Sequence, residues 1–360
     1  RFHFEDVFLP LGISFYTFEL ISYSVDAYKG LFKPVKRLRD FFFYVSFFPH
    51  LVAGPIVRPM DLIPQIYQRL RISKDDMGNA VFLLVSGLFK KAVISDYISS
   101  NFVDRIFENP TLYSGVENLL AVYAYTLQIY CDFSGYTDMA MGIALLIGFR
   151  LPNNFNSPYQ SASLTEFWRR WHISLSTWLR DYLYIPLGGN RVSKFRQAIN
   201  LMITMLLGGL WHGASWKFVF WGAIHGVWLV LEKIFKSFYK APPGILRKVL
   251  GIIITFHIVS FCWIFFRASS FESAWQIVSQ IIYNFNGTLL IPVLTTYNEV
   301  FLLIIAGYIL HFSPGSMDLY VQERIIDSPL VFKSFLVAII IWIVIQTKSA
   351  EVQPFIYFQF

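Results

Sequence analysis

The sequence predicts an all-α polytopic membrane protein. Hydrophobic residues make up 55% of the 360 residues and charged residues only 15%, whereas a soluble domain is nearer one quarter charged. The mean hydropathy of +0.50 and recurring apolar stretches of roughly 20 residues indicate several membrane segments. The 37 phenylalanines and 20 tyrosines suit lipid-facing helices and interfacial belts. We assign the net charge of +7 to cytoplasmic loops and anionic lipid headgroups, and expect no nucleic-acid partner.

The first half of the chain predicts four apolar segments. Prolines and glycines interrupt the first two, so we expect bent or re-entrant segments there. A polar run at 130–138 cuts the fourth, which predicts two membrane segments with a break at depth. The four segments cover residues 7–27, 41–57, 78–98 and 117–149.

Residues 163–184 predict one amphipathic helix. Ser163 is a good N-cap, and Glu166 three residues later completes a capping box. The tryptophans and His172 recur at three- and four-residue steps and therefore share one face, while the arginines lie mostly on others. A helix with this pattern lies on the membrane surface rather than across it.

Residues 198–232 predict an apolar hairpin whose two arms meet at 212–215. Basic residues on both flanks place its ends in the cytoplasm. Further spans are predicted near 249–266, 299–312 and 329–346, which gives roughly eight to ten membrane segments. We expect residues 1–360 to form a single domain. Because the chain begins at Arg1 without a signal peptide, we expect native N-terminal residues to precede it.

His212 is the first catalytic candidate, because it is a titratable group inside an apolar run. A buried histidine stays neutral near pH 7 and can accept a proton, as a general base must. Gly208, Gly209 and Gly213 leave room for a ligand to approach closely. From the residues alone, a histidine hydrogen-bonded between helices explains the pattern equally well.

His172 is the second catalytic candidate, since it lies on the tryptophan face of the predicted 163–184 helix and points inward. A packed amphipathic residue would give the same spacing. We expect structural roles for His225, His257 and His311. His50 lies in a proline-bent segment, where a structural role is favoured over the alternative of lining a cavity.

Asp132 and Asp138 are acids inside an apolar stretch, and such groups need a partner or a water-filled cavity. We expect them to pair with arginines of the 163–191 region or to line a channel. Ser134 lies between them. It lacks the glycine frame of a hydrolase nucleophile elbow, so a catalytic serine is disfavoured.

The arginines of the 163–191 region are candidates to hold the phosphates of a nucleotide-bearing acyl donor, although attraction to anionic headgroups explains them as well. Cys131 and Cys262 are expected to be small buried residues. The sequence contains no nucleotide-binding glycine loop, HExxH motif or Cys/His cluster, so we predict no metal site and no ATP-driven or redox chemistry.

Taken together, several motifs resemble the membrane-bound O-acyltransferase (MBOAT) family, in particular its alginate O-acetylation branch. The resemblance covers nearly the whole chain, and its motifs are specific in combination. They are FPHLVAGPI at 48–56, DFSGYTD at 132–138, FWRRWHIS at 167–174, YLYIPLGG at 182–189, LWHGA at 210–214 and PFIYFQF at 354–360.

The resemblance implies a ring of transmembrane and re-entrant helices around a tunnel that crosses the membrane, with further helices before Arg1. It maps the family's membrane-embedded catalytic histidine onto His212 and the family's second polar position onto His172. Other residues in or beside the matching motifs become candidates for binding the donor or the acceptor. These are Asp132, Ser134, Tyr136, Asp138, Trp168, Arg169, Arg170, Trp171 and Trp211.

The resemblance also implies a function. An acetyl group would leave a cytoplasmic thioester, acetyl-CoA or another acyl thioester used as co-substrate, and cross the bacterial inner membrane in a multi-pass protein without a bound cofactor. A periplasmic acetyltransferase or esterase-like partner would place it on an exopolysaccharide such as alginate, or on peptidoglycan or cellulose. Three alternatives stay open: D-alanyl transfer from a carrier protein to teichoic acid, a transporter or channel without acyl chemistry, and a scaffold that recruits periplasmic enzymes.

Overall fold

The computed structural model describes residues 12–238 and 244–347, apart from the side chains of 236–238. Within these ranges the chain is helical and contains no β-strand, which confirms the all-α prediction. The α-helices are α1 (Ile13–Tyr28), α2 (Leu38–Ser46), α3 (Phe48–Leu51), α4 (Pro59–Ile66), α5 (Lys74–Leu88), α6 (Asp96–Ile98), α7 (Asp104–Glu108), α8 (Gly115–Leu146), α9 (Leu164–Arg170), α10 (Ile173–Leu179), α11 (Lys194–Trp211), α12 (Trp216–Phe238), α13 (Ile245–Arg267), α14 (Phe271–Tyr283), α15 (Leu290–Thr296), α16 (Asn298–Phe312), α17 (Gly315–Asp327) and α18 (Leu330–Thr347).

In the described ranges, four helical stretches are long and apolar enough to cross a membrane, and six are if each of two bent helix pairs counts as one span. The chain is therefore a multi-pass membrane protein, with fewer qualifying segments than the eight to ten predicted. The bent pairs are α14 with Gly287–Thr296, at 97°, and α16 with α17, at 95°. The four single stretches are Lys74–Glu108, Trp216–Phe235, Ile245–Arg267 and Leu330–Thr347.

The second predicted segment is bent as expected, whereas the first runs as the continuous helix α1 in its described part. Residues 41–57 form α2 and α3, which meet at an extended Phe47, and an irregular stretch follows. Residues 7–11 of the first segment and the motif at 354–360 lie outside the described residues.

The prediction of a break within residues 117–149 is wrong, because α8 runs unbroken for 32 residues from a capping box made by Ser114 and Glu117. Its polar residues do not need irregular backbone, since side chains of the neighbouring α5 to α7 stretch pair with its acids. α8 packs against α5, α13, α14 and α16. It is therefore a central helix, buried along much of its length by protein.

The prediction of one helix over 163–184 is also wrong. Ser163 caps α9 by accepting from the Glu166 amide at 3.2 Å, but the helix ends at Arg170. It restarts as α10 after Trp171 and His172, and a π-helical turn follows at Arg180–Tyr184. His172 has φ of 43° and cannot continue a right-handed helix. The location of this region at the membrane surface stays a prediction.

The 198–232 hairpin is present as α11 and α12, which pack along each other and are joined by 212–215. Ser193 caps α11 through the Arg196 amide. The two helices approach closely because Gly209 and Gly222 have no Cβ at the points where the backbone of the opposite helix lies. This contact places His212 at the tip of the hairpin, beside the residues of α12.

Candidate active site

His212 follows directly after the last residue of α11, and its amide donates to the Gly209 carbonyl at 3.0 Å. Its ring is half-buried among aromatic side chains of the next two helices. The ring centres lie 5.0 Å from Phe266, 5.2 Å from Trp221 and 6.3 Å from Phe218. These rings enclose part of the imidazole and leave the residue partly exposed at the tip of the hairpin.

Trp211 connects the two candidate histidines. Its ring centre lies 4.9 Å from that of His212 and 6.4 Å from that of His172. The far side of the site is formed by Phe18, which stacks on Trp211 at 5.2 Å, and by Phe15 at 5.6 Å. Two segments 40 residues apart in the sequence therefore present imidazoles around one indole.

His172 is fully buried in a left-handed backbone conformation between α9 and α10. Asn154 fixes this conformation, because its carbonyl oxygen accepts from the Ile173 amide at 2.9 Å. The Asn154 side-chain Oδ1 lies 3.1 Å from His172 Nδ1 and also accepts from the Ser174 amide and hydroxyl. Among the described residues, His172 Nε2 has no hydrogen-bond partner.

An aromatic layer packs behind His172. Phe133 of α8 meets its ring edge-on at 4.6 Å, and Phe155 meets Phe133 at 5.0 Å. Trp171, which is almost completely buried, lies 5.1 Å from Phe155 and 5.0 Å from Trp263 of α13. The imidazole thus has a rigid apolar wall on one side and the Asn154 hydrogen bond on its ring.

Trp168 lies on the His212 side of the site. Its indole N–H donates to His225 Nδ1 at 3.3 Å, and the His225 ring lies 4.6 Å from Trp221. Since Trp221 also contacts His212, Trp168 and His225 support the His212 ring through Trp221. His225 is buried, in keeping with the structural role expected of it.

Asp132 and Asp138 pair with lysines, whereas arginine partners were expected from the sequence. Lys91 Nζ lies 2.5 Å from Asp132 Oδ1 and 2.8 Å from Asp96 Oδ1, and Lys90 Nζ lies 2.5 Å from Asp138 Oδ2. Both lysines belong to the π-helical turn Phe89–Ser95 that extends α5. The acids therefore neutralise lysines of a neighbouring helix, and the intervening Phe133 contacts His172.

Ser134 is buried in α8 and Tyr136 is half-buried in the surrounding core. A role in binding the donor or the acceptor stays a prediction for both.

The candidate arginines of α9 face outward. Arg169 is exposed, while Arg170 pairs with Glu166 at 2.8 Å and donates to the Asn156 carbonyl at 3.3 Å. A role for either in holding donor phosphates stays a prediction.

Asp181 joins the turn after α10 to the start of α4. It lies 2.6 Å from both Arg58 and Arg180, and Arg58 lies over the ring of Tyr182 at 5.4 Å. Partial burial alone would raise the pKa of Asp181, but hydrogen bonds and charges from the two arginines outweigh it, so the pKa is lower than usual. This cluster fixes the chain that leads out of the histidine site.

Sequence reasoning missed Asn154, Ser174 and the buried pair of His50 with Glu19, whose Nδ1 and Oε1 lie 2.9 Å apart. Asn154 lies in a loop of ordinary polar composition, so only its distant contacts distinguish it. Glu19 carried a usable signal, because it is an acid in an apolar segment.

Among the residues that the structure describes, no group of three or more histidine, cysteine, aspartate or glutamate side chains could hold a metal ion. The site consists instead of two imidazoles, an amide and an aromatic enclosure. Such a set can accept and orient protons next to an apolar space, which is the chemistry of general base catalysis.

Comparison with known proteins identifies the class. Residues 37–275 match the model of the MBOAT, membrane-bound O-acyltransferase, family. The matched range contains both histidines, Asn154 and the whole α11–α12 hairpin. The chain belongs to this family.

Particular relatives agree. The chain is 49% identical over 272 residues to the probable alginate O-acetylase AlgI of Pseudomonas aeruginosa, covering 75% of this chain and 51% of that protein. It is 38% identical to the peptidoglycan O-acetyltransferase of Helicobacter pylori, with 78% and 58% covered. It is 29% identical to the teichoic acid D-alanyltransferase of Bacillus subtilis, with 73% and 69% covered. The chain thus spans about half the length of the acetylating relatives it matches.

Proposed function

We propose that this chain is the catalytic part of an O-acyltransferase that acetylates an exopolysaccharide, with alginate as the first acceptor to test. The observation that carries the proposal is the pair His172 and His212 around Trp211, in a chain 49% identical to a probable alginate O-acetylase. Two imidazoles in an aromatic enclosure provide a proton acceptor and a second polar group at one place. Transfer from a thioester to a hydroxyl needs both.

In the proposed mechanism, His212 removes the proton of the acceptor hydroxyl as its oxygen attacks the thioester carbonyl. The C–O bond forms, the C–S bond breaks, and the proton passes from His212 to the departing thiolate. His172 either orients the reactants or stabilises the oxyanion that develops at the carbonyl. The surrounding rings exclude water, which strengthens these interactions and limits hydrolysis of the thioester.

The donor in this proposal is acetyl-CoA or another acyl thioester, which enters from the cytoplasm near Arg169 and Arg170. The acyl group crosses the inner membrane through the tunnel expected from the family. The hydroxyl that accepts the acyl group at His212 comes through the tunnel from the periplasmic side, and a periplasmic acetyltransferase or esterase-like partner then passes the group on to the polysaccharide. Support comes from the basic flanks of the hairpin and from the names of the acetylating relatives.

D-alanyl transfer is the second candidate, and peptidoglycan the second acetyl acceptor. The teichoic acid relatives are 29% and 31% identical to this chain, against 47–49% for the probable alginate O-acetylases. This difference favours acetyl over D-alanyl groups. The 38% identity to a peptidoglycan O-acetyltransferase keeps that acceptor in the test.

The deciding experiment measures acetyl content of exopolysaccharide and peptidoglycan in cells that lack the native gene. The cells are complemented with the full-length protein, either wild type or His212→Ala, at matched membrane levels. We expect wild type to restore acetylation and His212→Ala to reduce it to background, because the variant lacks the proposed general base.

His257→Ala is the matched control. His257 is an exposed histidine on α13 whose Nδ1 lies 2.7 Å from the Ile253 carbonyl of its own helix, and whose ring packs edge-on against Tyr123. We expect this variant to behave as wild type. Restored acetylation by His212→Ala would refute the base role and favour a transporter or scaffold, and D-alanylated polymer in place of acetylated polymer would favour the second candidate.

A further inference from the structure

The hydrogen bonds around Asn154 determine which nitrogen of His172 carries the proton. Asn154 Oδ1 accepts from the Ser174 backbone amide at 3.1 Å. A backbone N–H can only donate, so the atom facing it must be the amide oxygen. A flipped Asn154 would set its NH₂ group against that donor. The orientation of the amide is therefore fixed by the backbone of α10.

The Ser174 hydroxyl strengthens the same orientation. Its oxygen accepts from the Ile56 amide at 3.0 Å, so its hydrogen is free to donate to Asn154 Oδ1 at 2.9 Å. Asn154, Ser174 and Ile56 are all buried. Three segments that are distant in the sequence thus fix a single hydrogen-bond acceptor in front of His172.

His172 Nδ1 lies 3.1 Å from that same oxygen. Two lone pairs facing each other at this distance would repel, so Nδ1 must carry the hydrogen and donate it to Asn154. The alternative contact of Nδ1, with the Ser174 hydroxyl at 3.5 Å, is longer. A neutral His172 consequently has an unprotonated Nε2.

We infer that Asn154 and Ser174 are positioning residues that hold His172 in the Nδ1–H form, so that Nε2 meets the substrate as a hydrogen-bond acceptor. This inference rests on the proposed function and narrows it. A neutral His172 with this tautomer has no N–H to offer an oxyanion. It accepts instead from an O–H or N–H of the substrate pair, and so orients a reactant rather than stabilising charge on the carbonyl.

Backbone strain at His172 has a place in this arrangement. A φ of 43° is unfavourable for a residue with a Cβ. The hydrogen bond that the Ile173 amide donates to the Asn154 carbonyl maintains this conformation. The main chain and the side chain of Asn154 therefore act together. The Asn154 carbonyl holds the backbone conformation at His172, and the Asn154 side chain holds the tautomer of the His172 ring.

The test is ¹⁵N NMR of the full-length protein labelled at histidine, without donor or acceptor. The His172 signals are those missing from His172→Gln. We expect the protonated nitrogen to be Nδ1, the opposite of the form that free histidine prefers in water. A His172 protonated at Nε2 in wild type would overturn the inference, and this readout does not depend on activity.

Two variants test the role of Asn154. Asn154→Asp keeps an acceptor oxygen and should keep Nδ1 protonated, whereas Asn154→Leu removes it and should move the proton toward Nε2. At matched protein levels, Asn154→Leu should lower acetylation by about tenfold or more, as loss of an orienting partner commonly does. An unchanged tautomer in Asn154→Leu would refute the positioning role.

Asn118→Leu controls for a merely structural effect. Asn118 is also a buried asparagine, and its amide donates to three backbone carbonyls at the start of α8. This variant should lower protein levels without changing the tautomer of His172. If Asn154→Leu does not fold, the wild-type and Asn154→Asp spectra still show which nitrogen of His172 carries the proton. A wild-type protein that shows the Nδ1–H form but never acetylates would refute the proposed function alone.

Discussion

His172 occupies a left-handed conformation that costs a non-glycine residue roughly 1–3 kcal/mol at a strained site. Hydrogen bonds to both the main chain and the side chain of Asn154 offset that cost. The sequence predicted the importance of His172 from its place among tryptophans. It could not predict Asn154 or Ser174, because their roles arise only where distant segments meet.

The Asp181 cluster makes stability depend on pH. The pKa of this carboxyl is lower in the folded protein than its usual value of about 3.9. Its ionised form therefore stabilises the fold above that pH, and the contribution is lost as pH falls through the folded-state pKa. We expect Asp181→Asn to be less stable than wild type at about pH 6, and the difference to shrink as the pH falls below the usual pKa of the carboxyl. Thermal unfolding in detergent across this range measures the effect, and parallel curves would contradict it.

Among the elements, the α11–α12 hairpin and the bend between α2 and α3 follow from apolar length and from prolines, which are local signals. The unbroken α8 and the divided α9–α10 do not. Lysines of another segment neutralise the acids of α8, and Asn154 draws the chain out of helix at His172. In both cases a contact with a distant segment overrides the secondary structure that the local sequence predicts.

The glycines of the hairpin give a prediction at this scale. A Cβ at Gly222 would collide with the backbone carbonyl of Met205. Gly222→Ala should therefore separate α11 from α12 and lower the free energy of unfolding by about 1–3 kcal/mol. Gly315→Ala is the control, since a Cβ there meets open space. Denaturant unfolding of the purified proteins compares the two, and equal stability would show that the hairpin accommodates the methyl group.

At the scale of the whole molecule, composition alone predicted a multi-pass α-helical membrane protein, and the described helices confirm it. In the described residues, four to six stretches meet the length and hydropathy expected of a span, against the eight to ten segments predicted, because several apolar stretches belong to short or bent helices. The central helix α8 carries too many polar side chains to qualify by hydropathy, yet it is mostly buried. Hydropathy reports contact with lipid and cannot identify a helix that is surrounded by other helices.

The prediction for the complete protein is that donor and acceptor act from opposite sides of the membrane. In proteoliposomes of the full-length protein, labelled acetyl-CoA is supplied on one face, with alginate and the periplasmic partner on the other. We expect label to reach the polymer with wild type and to stay at background with His212→Ala. Intact acetyl-CoA on the polymer side, without labelled polymer, would instead indicate a transporter.

The lysine–aspartate pairs between the α5 extension and α8 also bear on how the protein is made. A single lysine or aspartate at the centre of a helix costs about 2.5–3.5 kcal/mol during insertion by the translocon. Asp96 is made soon after Lys91, but Asp132 and Asp138 follow the two lysines by roughly 40 residues, so these two partners are still unsynthesised when the first helix reaches the bilayer. The earlier helix is therefore best retained beside the translocon until α8 emerges, and the two enter the lipid with their lysines already paired.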